Sequence, residues 1–143
     1  MRVVVFAPTI QSIGDGVSAL ADAAEVTVLS FAPAPWEGAR SVAVGAPGIR
    51  SRLSDLARRT PLGRVLRRLT PLDPGAIFAQ RVRRSPEAQA AITAADLLVS
   101  TERDAQFSAW REARRRARQG VPVAAVTGLP AAGVAVRRLS GDS

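Results

Sequence analysis

The stretch Val3-Val4-Val5-Phe6-Ala7, closed by Pro8, decides the fold. It is apolar at every position and lacks the alternation of a strand that faces water on one side. A continuous run of this kind suits a strand buried on both faces, as in parallel sheets covered by helices. Outward from it, Gly14-Asp15-Gly16 opens a segment whose Val17, Leu20, Ala21 and Ala24 fall on one helical face. Glu25-Val26-Thr27-Val28-Leu29-Ser30-Phe31 is rich in β-branched residues and reads as a second strand. Residues 32–38 form a proline-containing linker in which Trp36 is expected to be partly exposed. A short third strand is expected at residues 41–44, a fourth at 96–100 and a fifth at 123–127.

The region between the third and fourth strands reads as helical. Ile49, Leu53 and Leu56 share a helical face, as do Leu62, Val65, Leu66 and Leu69. Thr60-Pro61, Asp73-Pro74 and Ser85-Pro86 each set a capping side chain before a proline suited to the first helical position. Short consecutive helices are therefore expected, the last ending near Ala94. After the fourth strand, Thr101 with Asp104 three residues on has the form of a capped helix start. That helix carries Phe107, Trp110, Ala113 and Ala117 on one side, with Phe107 and Trp110 expected to be core contacts. It ends in Arg114-Arg115-Arg116 and Arg118 before Gly120, which sets cations at the negative pole of the helix dipole.

Strands alternating with helices imply parallel strands joined by right-handed crossovers. The expectation is an α/β, Rossmann-like domain of three layers, with a mainly parallel five-stranded sheet in the order 3-2-1-4-5. An arginine-rich helical segment lies between strands three and four. Residues 1–133 are expected to form this one domain, with 49–84 as a basic helical insertion and 134–143 as a flexible tail.

Composition narrows the chemistry. The 143 residues suit a single domain. Cysteine, histidine and tyrosine are all absent, which excludes thiolate nucleophiles, zinc–sulfur sites and the commonest general base and metal ligand. Proton transfer would fall to Asp or Glu, no metal site or bound cofactor is expected, and a self-sufficient enzyme is not expected. The apolar run at residues 3–8 is too short for a targeting segment and lacks a small-residue cleavage site. No stretch approaches the roughly 20 apolar residues that span a bilayer, so a cytoplasmic location is expected.

The formal net charge is +8, and all 20 basic residues are arginine. Richness in Ala, Gly, Pro and Val fits a GC-rich genome, which weakens arginine content as a signal. Its distribution says more. Residues 50–84 hold ten arginines against Asp55 and Asp73, while the remainder of the chain is balanced. Arg58, Arg59, Arg64, Arg67 and Arg68, on leucine-faced helices, are candidates to contact an anionic membrane surface or a lipid-linked acceptor. Such contact would hold the protein peripherally at the inner face of the membrane. The plain alternative packs the leucines on the sheet and leaves the arginines in water. Nucleic acid is not an expected partner of this segment, because neither aromatic interleaving nor a reading helix is visible in it.

In a sheet of this order, ligands bind beyond the carboxyl ends of the strands, where the order reverses. The candidate ligand-binding residues are therefore Thr9, Gly14, Asp15 and Gly16 after strand one, and Thr101, Glu102 and Arg103 after strand four. Gly14-x-Gly16-x-x-Ala19 has the form of a dinucleotide fingerprint. Its first glycine, however, lies well beyond the strand end, and Ser30-Phe31 stands where an acid would hold a ribose. Asp15 and Glu102 are both candidates to face this switch point, where a carboxylate can act as a base toward a hydroxyl or hydrogen-bond a sugar, and Asp15 is the catalytic candidate of the two. The plainer roles are a helix cap for Asp15 and a favourable first-turn acid for Glu102.

Several of these segments carry a family resemblance: Arg2-Val3-Val4-Val5-Phe6-Ala7-Pro8, Gly14-Asp15-Gly16-Val17, Glu25-Val26-Thr27-Val28, Ala94-Ala95-Asp96-Leu97-Leu98-Val99-Ser100 and Phe107-Ser108-Ala109-Trp110-Arg111. Over about residues 2–130 the chain resembles the N-terminal, acceptor-binding half of actinobacterial GT-B-type glycosyltransferases. The resemblance implies that residues 50–84 face the membrane and that residues 14–16 border the sugar-transfer cleft. It also implies a nucleotide-sugar-binding partner domain or subunit, without which this chain would be inactive. No histidine is present to serve as the acceptor-activating base used by some members. Two other functions stay open: a non-catalytic interaction module docking on anionic membranes or partners, and a small nucleotide-binding protein using Gly14 to Gly16.

Overall fold

The computed structural model describes residues 1–9, 14–45 and 74–141. Their elements are β1 (Arg2–Phe6), α1 (Gly14–Ala21), β2 (Glu25–Ser30), β3 (Ala39–Ala43), α2 (Pro74–Arg84), α3 (Pro86–Ala94), β4 (Leu97–Ser100), α4 (Arg103–Arg118), β5 (Ala124–Thr127) and α5 (Leu129–Ser140). The five strands form one sheet in the order β3-β2-β1-β4-β5. Every pairing is parallel, and Val3 of β1 stands opposite both Val26 and Leu97. The expected Rossmann-like α/β architecture is therefore present, with three layers and helices between the strands.

The pleat divides the core in two. Val4, Phe6, Leu29 and Leu98 point to one face, where they pack with Phe78 and Val82 of α2, Ile92 of α3 and Ala105 and Ala109 of α4. Val3, Val5, Val26, Val28, Leu97 and Val99 point to the other, against Val17 and Leu20 of α1 and Ala132 and Val136 of α5. Side chains such as Phe6 and Leu98 are wholly removed from water, each contributing about 2 kcal/mol of transfer free energy. Burial on both faces is the reason β1 and β4 are uninterrupted apolar runs.

Local signals set several boundaries. The Ser85 side chain accepts a hydrogen bond from the Ala88 amide at 3.2 Å, with Pro86 in the first helical position of α3. α2 is described from Pro74 onward. Gly128, with φ of 87°, makes the turn into α5 that a residue with a Cβ would adopt only under strain.

Four expectations need correction. Phe107 and Trp110 are not core residues: they are 49% and 53% exposed. The buried stripe of α4 is Ala105, Ser108, Ala109, Glu112 and Arg116, small residues that let the helix sit close to the sheet. The two long polar side chains in that stripe are satisfied. Arg116 Nη1 donates to the carbonyls of Ile92 and Ala95 at 2.8 and 2.6 Å, closing the C-terminal end of α3, and Glu112 accepts from Arg115 Nε at 2.7 Å. Secondly, Thr101 is not the cap of α4. Glu102 holds the cap position without a side-chain cap bond. Thirdly, the expected tail at 134–143 is helical as far as Ser140, because Ala132 and Val136, four apart, bury against the sheet. Fourthly, Asp15 does not precede α1; it lies within its first turn and is exposed. Trp36 is, as expected, only partly buried. The leucine-faced helices, the Thr60-Pro61 start and the arginines from Arg50 to Arg68 lie outside the described residues.

Candidate ligand site at the switch point of the sheet

β1 and β4 are neighbours at the reversal of strand order, and the helices that follow them, α1 and α4, pack on opposite faces of the sheet; in sheets of this order ligands bind beyond the carboxyl ends of such strands. The floor there is tied by backbone. The Thr101 amide and Oγ1 both donate to the Phe6 carbonyl, at 3.2 and 3.1 Å, which explains why Thr101 is not free to cap α4. On the far side, the Gly128 amide donates to the Ser100 carbonyl at 2.8 Å, and the Ser100 and Thr127 hydroxyls share a hydrogen bond of 3.1 Å.

Above this floor the loops after β1 and β4 meet through two side chains. The Thr9 amide donates to Glu102 Oε1 at 2.8 Å, and Thr9 Oγ1 lies 2.7 and 2.8 Å from the two carboxylate oxygens. The Thr9 side chain carries one proton, so only two donors in all are spent on Glu102. A carboxylate offers about four acceptor positions, so roughly two remain for a ligand. Thr9 is exposed, Glu102 half-buried, and Arg103 presents an exposed guanidinium at the next position. The arrangement is that of a small acceptor-rich clamp that can accept hydrogen bonds from hydroxyl groups, with the exposed Arg103 next in sequence as the first residue of α4.

Thr9, Thr101, Glu102 and Arg103 are thus brought together as expected. Gly14, Asp15 and Gly16 open α1, and the connection from Thr9 to Gly14 lies outside the described residues. Gly16 is a packing residue: a Cβ built there would stand 2.6 Å from Cδ1 and 3.3 Å from Cβ of Leu129 on α5. The absence of a side chain therefore permits a close approach of two helices. It leaves the dinucleotide fingerprint without its usual reason for that glycine. Ser30, where a ribose-holding acid would stand, is buried and donates to the Ala32 carbonyl at 2.6 Å.

A second concavity was not anticipated. A groove of about 400 Å³ runs between α4 and β5, lined by Ser100, Gln106, Phe107, Trp110, Ala125 and Thr127 among others. Phe107 and Trp110 form its outer wall with ring centroids 6.3 Å apart, and the Arg114 guanidinium lies 4.9 Å from the centre of the Trp110 ring. The signal for it in the sequence is the 4-3-4 spacing of Arg103, Phe107, Trp110 and Arg114, which interleaves aromatics and cations on one helical face.

The anionic-surface candidates Arg58, Arg59, Arg64, Arg67 and Arg68 lie outside the described residues. No helix among the described residues is long and apolar enough to cross a membrane. Comparison with known protein families, curated proteins and solved structures finds no match to this chain.

Proposed function

We propose that this chain is a glycosyltransferase-like, acceptor-binding domain of GT-B type, which takes a hydroxyl-rich acceptor beyond the carboxyl ends of β1 and β4 and acts with a nucleotide-sugar-binding domain or subunit. The observation that carries the proposal is the Thr9–Glu102 clamp. Residues 93 positions apart are joined at the carboxyl ends of adjacent parallel strands, with carboxylate acceptor capacity left over. A sugar hydroxyl is the natural donor to such a group, and Arg103 suits an acceptor that also carries a phosphate. In this role the chain works in the cytoplasm, and its arginine-rich segment lies against an anionic membrane surface or lipid-linked acceptor. The described end of that segment, α2, buries Ile77, Phe78 and Val82 within the protein and leaves Arg83 and Arg84 exposed, so its contact with such a surface would rest on charge alone.

Calorimetric titration with hexoses and hexose 1-phosphates tests the proposal. Binding is expected in the wild type, with the phosphorylated sugars preferred. Thr9→Val keeps the backbone bond to Glu102 but removes the hydroxyl, and is expected to weaken binding about tenfold, near 1.4 kcal/mol. Absence of measurable binding by any of these sugars overturns the acceptor role.

A further inference from the structure

The edge of the sheet at β5 is open among the described residues, and the four residues of the strand carry no charge, proline or bulge. Strands that must stay unpaired are commonly guarded by charges, prolines or bulges. β5 reads Ala124-Ala125-Val126-Thr127, and all but Val126 are exposed. The Gly128 amide bonds to the Ser100 carbonyl, so by alternation Ala124 and Val126 also turn their amides to β4. Ala125 and Thr127 therefore direct both amide and carbonyl outward. Val123 packs in the layer that contains α4, so by the period of two the Ala125 and Thr127 side chains face that layer as well. Their small size leaves the groove beneath Phe107 and Trp110 unfilled.

We infer that this edge binds an extended polypeptide segment that adds a sixth strand beside β5, with alternate apolar side chains in the α4–β5 groove and carboxylates toward the arginines of α4. Three observations select this occupant. An open strand edge offers donors and acceptors in alternation, which another polypeptide backbone matches one for one; a phosphodiester backbone supplies acceptors only. The groove is lined mainly by aromatic and small apolar groups, and side chains from every second residue of an added strand would enter it. The surrounding charge is positive: Arg103, Arg111 and Arg118 make no ion pair with described residues, and Arg114 rests on Trp110. A second copy of a chain with net charge +8 is disfavoured on that ground, whereas an acidic segment is attracted.

The probe is a synthetic peptide of alternating valine and threonine with two glutamates at each end. It is titrated into the full chain carrying Trp36→Phe, so that Trp110 alone reports. The Trp36 indole nitrogen is buried without a hydrogen-bond partner, so this change removes no bond. Saturable binding with a shift of Trp110 emission to shorter wavelength is expected. A lysine-flanked version of the peptide should bind about tenfold more weakly. Ala125→Pro deletes an outward amide that β4 does not use, and should weaken binding about tenfold while far-UV circular dichroism stays unchanged. If that variant misfolds, protection of the Ala125 and Thr127 amides from exchange on adding peptide to the parent chain serves the same purpose. Each of four results overturns the inference: no peptide binding, equal binding of both peptides, binding indifferent to Ala125→Pro in a folded variant, or an oligothymidylate that binds where the acidic peptide does not. Dimerisation of the unliganded chain that excludes the peptide overturns it as well.

Discussion

Gly16 shows how one residue changes meaning between sequence and structure. In sequence it belongs to a fingerprint for phosphate binding; in the fold it is where the Leu129 side chain of α5 packs against α1. Only the tip of Leu129 lies nearer than 3 Å to the missing Cβ, so the helix backbones need not part if that side chain yields. Gly16→Val, with two further methyl groups, overpacks the contact and is expected to cost about 1–3 kcal/mol in urea-induced unfolding. Shortening the opposing side chain should relieve part of that cost. In the double variant with Leu129→Ala the two effects should therefore be less than additive, with a coupling near 1 kcal/mol. Strict additivity would show that the contact does not constrain either helix. The same cycle guards against a misreading, since a loss of ligand affinity in Gly16→Val alone would follow from shifted helices as readily as from a lost phosphate contact.

At the scale of the element, α4 is the instructive case. Large apolar residues usually turn inward, so Phe107 and Trp110 suggest the buried face, yet the helix buries Ala105, Ser108, Ala109, Glu112 and Arg116. Two physical facts hide this in the sequence. Small residues carry little hydrophobic weight but permit close packing on the sheet, and Arg116 is tolerated inside because the carbonyls of Ile92 and Ala95 at the end of α3 receive it. That partner belongs to a different element and leaves no mark on the periodicity of α4. The rotation is open to test by two substitutions of similar size change and opposite location. Trp110→Gln removes a large group from an exposed position and should alter stability by about 0.5 kcal/mol or less. Ala109→Leu inserts bulk where 3% of the surface is accessible, and should cost about 1–3 kcal/mol by thermal or urea unfolding. The reverse ranking would mean that the aromatic face is the buried one.

For the whole molecule, the order β3-β2-β1-β4-β5 was legible because parallel strands buried on both sides are written as unbroken apolar or β-branched runs, and the helices between them dictate crossovers. The place of the candidate site followed from that order alone, since loops after β1 and β4 must meet at the reversal. What meets there was less legible: no local pattern links Thr9 to Glu102, and the capping-box form at Thr101 pointed to a local bond where the structure makes a long-range one. The openness of β5 was hidden for a related reason, because Val123 and Val126 resemble any core strand and exposure depends on what lies beyond the edge. Amide exchange measures that difference directly. Protection reports the free energy of the opening that frees each bond, so it should be greatest in β1, flanked on both sides, and fall outward through β4 to β5. Within β5 it should alternate, with Ala124, Val126 and Gly128 protected through β4 and Ala125 and Thr127 exchanging at close to the rate of free peptide. A smooth profile with Ala125 as slow as Val126 would mean that the edge is already covered in solution. The groove beneath Phe107 and Trp110 would then be an occupied interface instead of a vacant one.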